Sequence, residues 1–506
     1  MKTFNYGTDR LTVKVALDIA EGRVRGALDA GTRRRIEASA RHVQDIVEGE
    51  RVVYGINTGF GPLCTTHISK EETTRLQRNL LMSHAVGVGD PIAPKLAKLM
   101  LITKAHALAK GYSGVRLRTV ERIIFFIESD IIPVVPEQGS VGASGDLAPL
   151  SHAFLPLLGL GDVFYKGKRE NTAHVLGKVG IAPLDLGPKE GLGLINGTQF
   201  MLSHGIMITQ KLHNCLEQAD INGALMVEAL KGSVMPFSEE IHRIRPHKGC
   251  LHVAHRMTEM LKGSEIVASH HDCDRVQDPY SLRCIPQVHG ASRNAWNHLN
   301  ELIETELNSV TDNPIVFDAD HTVSGGNFHG QPIAMVMDYA ALAAAELGNI
   351  ADRRIYLSME GKSGIPKLLM ESAGLDSGFM ILQYTTAALV TENKTLCYPA
   401  SADSVPTSMG QEDHVSMGSI SGRKALKVIQ NLERIQAIEL LAATQGLEFR
   451  RPLKTTDVLE ACVDHVRKSV DKSEKDKIYT QDIEQCRQIV ANGELVNIVD
   501  QYITTP

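Results

Sequence analysis

The 506-residue sequence predicts a mainly α-helical protein, a bundle of long helices preceded by an N-terminal mixed region. Three observations predict it. Helical periodicity is sustained in the second half: Trp296, Leu299, Ile303, Leu307 and Val310 fall on one stripe at offsets of 0, 3, 7, 11 and 14, with Glu301, Glu304 and Glu306 off it. Strand-like alternation is scarce. Between the later helices sit polar, glycine- or proline-bearing loops, where a rigid scaffold presents chemistry. The chain therefore divides into an N-terminal region over 1–200 and a long-helix bundle over 201–506.

Taken in order, Thr32 to Glu48 reads as a helix, because Ile36, Ala40, Val43 and Val47 recur at helical spacing while Arg33, Arg34 and Arg35 face water; Gly49 fits its stop. Val52 to Pro62 is a glycine-rich loop, expected to be mobile, that carries Tyr54. Leu76 to Gly89 is helical in composition and contains Ser83-His84; helix formers continue from Ile92 to Ile127. Pro133 and Pro136 exclude a regular helix over Ile131 to Pro136, and Phe164 to Lys168 reads as a small hairpin. Beyond Thr198 long helices take over to near residue 450, with Met335 to Leu357 and Ala425 to Leu447 carrying alanine-rich faces suited to close packing.

Composition narrows the class. Hydrophobic residues make up 43% and charged ones 22%, and a net charge of −6 argues against a nucleic-acid-binding surface. Eight cysteines without a Cys-x-x-Cys pair suit free thiols in a reducing compartment, so a cytoplasmic location is expected. Met1 to Gly7 lacks an apolar h-region, and the longest uncharged run, Gly191 to Gln210, is broken by Asn196, Gln199 and His204; neither a signal peptide nor a membrane span is read.

The stretch Gln138 to His152 is the chemical centre. Its plain reading is a glycine-rich turn before a helix capped by Asp146. Yet Ala143-Ser144-Gly145 is small enough for the Gly145 nitrogen to approach the Ala143 carbonyl carbon and close a five-membered ring. Loss of two waters, one from Ser144, would leave an electrophilic methylidene-imidazolone. Three further loops bear polar groups: Val276 to Arg283, Gly325 to Pro332, and Gln411 to His414.

Together these segments resemble, along nearly the whole chain, the histidine-selective branch of the aromatic amino acid ammonia-lyase family. Gly139 to Leu150 is similar to the family's cofactor-forming signature, so Ala143, Ser144 and Gly145 are implied precursors of a 4-methylidene-imidazol-5-one; neither pyridoxal phosphate nor a metal is expected. Tyr54 in Tyr-Gly-Ile-Asn-Thr-Gly-Phe-Gly matches the base that removes the β-proton, and Asn196 in Asn-Gly-Thr the residue that steadies the ring and the substrate carboxylate. Gln277, Tyr280, Arg283 and Phe328 fall on matching positions, Tyr280 as catalytic and the others as substrate-binding, with Arg283 pairing the carboxylate.

Ring selectivity in the family follows a dipeptide that Ser83-His84 resembles, where phenylalanine- and tyrosine-selective relatives carry Phe-Leu or His-Leu; Glu412 stands where those relatives place an amide. An imidazole and a carboxylate satisfy both nitrogens of a substrate imidazole, whereas a phenyl ring leaves them unpaired at roughly 1–3 kcal/mol each. The implied reaction is loss of ammonia from L-histidine to give trans-urocanate, the first step of histidine degradation, by a homotetramer with active sites shared between subunits. Whether the amine or the imidazole attacks the ring, and whether Glu412 anchors the imidazole or moves a proton, stay open. One departure is Lys248 and Cys250, in place of which the family often has proline or glutamine. The competing readings are an aminomutase or a tyrosine- or phenylalanine-specific lyase on the same ring, a metal enzyme built on His270-His271-Asp272-Cys273-Asp274 or His252-Val253-Ala254-His255, and a non-catalytic helical assembly protein.

Overall fold

The computed structural model describes residues 2–49, 52–53, 55–59, 70–271 and 276–503. The chain gathers into two compact units: Met1–Met207, Asn300–Asp338 and Pro399–Arg423 in the first, and Ile208–Leu299, Tyr339–Tyr398 and Lys424–Pro506 in the second.

The first unit starts with strand β1 (Lys2–Asn5), helix α1 (Val13–Ala20), strand β2 (Val24–Ala27) and α2 (Ala30–Glu48), with β1 and β2 pairing in parallel. Side-chain caps set both helix starts: Thr12 Oγ1 accepts from Val15 N at 3.2 Å and Asp29 Oδ1 from Thr32 N at 2.7 Å. Along α2, Ile36 and Val43 are buried as the spacing predicts, and Gly49 is the C-cap.

The helix predicted over Leu76 to Gly89 is α3 (Lys70–His84), which stops five residues earlier. Val88–Pro91 is instead strand β3, antiparallel to Pro136–Gln138, because Gly89 at φ +86° and Pro91 leave the helical region. After α4 (Pro94–Ala109) and α5 (Leu117–Glu128), the proline-broken approach forms β4 (Ile132–Pro133) and β5 (Pro136–Gln138). Helix α6 (Leu147–Phe154) follows the glycine-rich loop, and β6 (Asp162–Tyr165) and β7 (Lys168–Asn171) are the predicted hairpin, turning at Lys166 and Gly167 with φ of +50° and +76°. Helices α7 (Thr172–Val179) and α8 (Glu190–Ile195) lead to α9 (Gln199–Ala229), within which the unit boundary falls. The described part of the Tyr54 loop is a buried turn in which Asn57 Oδ1 accepts from Val53 N at 2.8 Å and Thr58 Oγ1 from Gly55 N at 3.1 Å.

The second unit is built of helices joined by loops, with isolated bridges Glu360–Lys367 and Ala373–Asp376 among its described residues. It holds α10 (Glu239–Arg243), α11 (Lys248–Leu261), α12 (Glu265–Ala268) and α13 (Tyr280–Arg283). The larger parts of α14 (Ile285–Leu307), α15 (Gln331–Ser358) and α17 (Gly418–Glu448) belong to it, with α16 (Met380–Leu396), α18 (Asp457–Arg467), α19 (Thr480–Ala491) and α20 (Glu494–Tyr502). Its core joins Leu225, Met257, Ile355, Leu441, Leu459 and Val490. Leu299, Ile303 and Leu307 of the predicted stripe are buried, and α14 ends at Leu307, ahead of Asp312-Asn313-Pro314. Helix α15 is long and apolar enough to cross a membrane, with a mean hydropathy of 1.3, but 72% of that window is buried inside the protein, as in a core helix.

Candidate active site

The glycine-rich loop crosses left-handed backbone repeatedly between β5 and α6, with Gly142 at φ +79°, Ser144 at +51° and Gly145 at +79°. A side chain at Gly145 has no room: a Cβ there would lie 2.1 Å from the Gly197 carbonyl oxygen. That close approach matters because the strand-like bridge between Gly145 and Gly197 joins the loop to the Asn196-Gly197-Thr198 turn that opens α9. Asp146 N donates to Gly197 O at 2.8 Å. In return the Ser144 carbonyl accepts from Asn196 Nδ2 at 2.6 Å and from Gly197 N at 3.3 Å. Two N–H groups on one carbonyl oxygen favour negative charge there.

Asp146 holds the N-cap position of α6, but its carboxylate makes no capping bond. It reaches across instead, accepting from Met201 N at 2.9 Å and Ser140 Oγ at 3.0 Å, and so ties the loop to the first turn of α9. Burial pushes its carboxyl up to about 7 against those bonds. Met417 N, at the start of α17, donates to Val141 O at 2.9 Å, and Ser419 Oγ to Ser140 O at 2.5 Å. The N-terminal ends of α6, α9 and α17 thus meet at one loop, with their partial positive charge.

Glu412 comes from a tight turn. Thr407 and Glu412 pair as a short antiparallel bridge, with Ser408, Met409 and Gly410 at φ of +53°, +57° and +88° between them. From it Glu412 Oε1 accepts from Ser144 Oγ at 2.6 Å, while Oε2 accepts from Thr407 Oγ1 at 3.3 Å. Phe328, half-buried, lies in the turn before α15; beside it His329 Nε2 lies 3.2 Å from His414 O and the two imidazoles stack at 5.9 Å.

At the C-terminal end of α3, Ser83 and His84 line a cavity of about 220 Å³ together with Ala143, Gly145, Leu147 and Ala148. Ser83 Oγ lies 3.0 Å from His84 Nδ1. Burial holds the imidazole below its ordinary value, with the Glu412 carboxylate pulling it upward.

Ser83, His84, Ala143, Ser144, Gly145, Asn196 and Glu412 are therefore brought together within one unit. Gln277, Tyr280 and Arg283 belong to the second unit. There the Arg283 guanidinium lies 4.6 Å over the Tyr280 ring and its Nε donates to Asp278 O at 3.0 Å. Gln277 is exposed and Tyr280 is 70% exposed. Tyr54 lies outside the described residues, as do Asp272, Cys273 and Asp274 of the histidine-rich cluster. Both ring nitrogens of His270 face backbone carbonyls, Ile266 O at 2.7 Å and Gly232 O at 3.2 Å, and among the described residues no group of three or more His, Cys, Asp or Glu is placed to hold a metal.

Sequence reasoning missed Lys104. It is fully buried in α4, where its Nζ donates to Asn196 O at 2.6 Å, and burial drives its amine down to about 7. The signal was present as a lone cation inside the apolar run Leu99 to Ala109, where a lysine needs a polar partner.

Comparison with known proteins places the chain in a family. The pattern of the family described as aromatic amino acid lyase matches residues 11–468. A histidine ammonia-lyase of Symbiobacterium thermophilum is 46% identical over 97% of this chain and 97% of its own. The crystal structure of histidine ammonia-lyase from Trypanosoma cruzi superposes with a TM-score of 0.92 at 40% identity, covering 100% of this chain and 96% of that one. Tyrosine aminomutase from Streptomyces globisporus gives 0.94 at 36% identity, covering both chains completely at 100%. With a family pattern spanning most of its length and full-length relatives at this identity, the chain belongs to the aromatic amino acid lyase family.

Proposed function

We propose that this lyase removes ammonia from L-histidine to give trans-urocanate, at a methylidene-imidazolone ring formed from Ala143, Ser144 and Gly145. The observation that carries the reading is the Ser144 carbonyl held by Asn196 Nδ2 and Gly197 N beside a cavity lined by Ser83 and His84. The residues fit the ring: Gly145 sits where only a glycine has space, and the buried Oδ1 of Asn196 has no hydrogen-bond partner among the described residues. The ring would supply an electrophilic methylidene that no unmodified side chain offers.

Each side chain then has a task. Asn196 Nδ2 and Gly197 N stabilise negative charge on the Ser144 oxygen, helped by the helix N-termini. His84 and Glu412 take the two nitrogens of the substrate imidazole, Ser83 orienting His84 through Nδ1. Tyr54 removes the β-proton as its phenolate. Arg283 pairs the carboxylate, Gln277 and Phe328 bind substrate and Tyr280 is catalytic. The exposure of Gln277 and Tyr280 supports a homotetramer whose sites are completed between subunits, and eight cysteines without a Cys-x-x-Cys pair suit the cytoplasm.

The test is incubation of the purified protein with L-histidine, L-tyrosine and L-phenylalanine, followed by ultraviolet absorbance of the conjugated acrylate. Absorbance growing with histidine alone, and lost in Ser144→Ala, is the expected result. A β-amino acid product would point to an aminomutase, to which the fold is equally similar, and no product from histidine overturns the proposal.

A further inference from the structure

The roles above leave one contact unused, the 2.6 Å hydrogen bond from Ser144 Oγ to Glu412 Oε1. We propose that Glu412 is catalytic in forming the ring, handing a proton to the departing Ser144 hydroxyl before it ever meets a substrate. The inference rests on the ring-based reading and names the acid that reading requires.

Ring closure joins Gly145 N to the Ala143 carbonyl carbon, and the carbonyl oxygen leaves as water with the amide hydrogens of Gly145 and Ser144. The second water is made from the Ser144 hydroxyl and one proton, while the electrons of the Ser144 Cα–H bond become the Cα=Cβ double bond. Hydroxide leaves poorly from Cβ; water leaves well. In the structure Ser144 Oγ is the donor; when a proton from solvent loads Oε1 the same 2.6 Å contact reverses, Glu412 hands that proton to Ser144 Oγ as the Cβ–Oγ bond breaks, the Cα proton passes to solvent, and Glu412 is left as the carboxylate. No electron is gained or lost overall.

The placement suits this step. Thr407 N donates to Glu412 O at 2.8 Å and Thr407 Oγ1 to Oε2 at 3.3 Å, so the backbone and one carboxylate oxygen are fixed and Oε1 is the oxygen presented to Ser144. The nearby carboxylate of Asp146 is engaged by Met201 N and Ser140 Oγ instead. Once the hydroxyl has gone, Oε1 has lost its donor and is open to an imidazole N–H. One carboxyl therefore serves two stages in a fixed order.

Cell-free synthesis sampled over time by intact mass tests this for wild type, Glu412→Gln and Glu412→Ala, with circular dichroism checking the fold. Wild type is expected to become lighter by two waters, and the isosteric Glu412→Gln, which keeps the hydrogen bond and not the acid, to lose the second water about 10²-fold more slowly or not at all. Folded variants that reach the doubly dehydrated mass at the wild-type rate overturn the role of Glu412 alone. An unshifted wild-type mass overturns the ring itself and this role with it.

Discussion

Lys104 Nζ donates to the backbone carbonyl of Asn196 at 2.6 Å, and Asn196 Nδ2 donates to the Ser144 carbonyl at the same distance, so a buried cation positions the loop chemistry through one intervening residue. Lys104→Met keeps the volume and removes the donor. It is expected to cost about 1–3 kcal/mol in urea denaturation, because the Asn196 carbonyl loses its lysine donor. Turnover is expected to fall through kcat more than KM, since Asn196 acts at the reacting centre. An unchanged kcat would show that the carbonyl needs no such donor.

Two buried groups give stability a characteristic pH dependence. The Asp146 carboxyl rises from 3.8 to about 7, so the folded state holds a proton the unfolded state has lost; its contribution is full below the unfolded value and is lost as pH climbs towards 7. Asp146→Asn should remove that decline, seen as a flatter Tm between pH 4 and 7. Lys104 falls from 10.5 to about 7, so the unfolded state binds more protons in that window and stability rises with pH across it. Lys104→Met should flatten the rise.

Gly145→Ala places a Cβ 2.1 Å from the Gly197 oxygen at a φ of +79°. The helices do not depend on this contact, so circular dichroism should remain near wild type. Intact mass should show no loss of water, because the loop can no longer lie against the Asn196 turn.

His84→Leu should exchange selectivity. The substrate imidazole loses one partner, at a cost of about 1–3 kcal/mol, or roughly 10–200-fold in kcat/KM for histidine. Activity on phenylalanine should rise from a low base. Equal losses on both substrates would mean that His84 packs the cavity without reading the ring.

In the second unit, Asp220 accepts from His289 Nδ1 at 2.8 Å and from Arg293 Nη2 at 3.1 Å, with Arg256 at 3.3 Å, all of them buried. Asp220→Asn leaves Glu217 as the one remaining carboxylate against both Arg256, at 2.9 Å, and Arg293, at 2.6 Å, and should cost about 3–5 kcal/mol by chemical denaturation. A loss below 1 kcal/mol would show that water reaches these groups.

Much of the protein is legible one segment at a time. Period 3.6 placed the helices of the second half, paired turn residues placed the hairpin at Lys166-Gly167, and the run from Gly139 to Leu150 marked the chemical centre, because each is a local property of neighbouring residues. The end of α3 was misjudged, since β3 exists only through pairing with Pro136–Gln138, more than forty residues away. Asp146 has the sequence signature of a helix cap, yet its carboxylate serves Met201 and Ser140. Lys104 to Asn196, Asn196 to Ser144 and Ser144 to Glu412 span 92, 52 and 268 residues. The sequence by itself determined which elements form and which residue types are available for elimination chemistry. Only the tertiary structure decided which donor meets which acceptor, because a buried polar group takes whatever partner packing brings within 3 Å, whatever its distance along the chain.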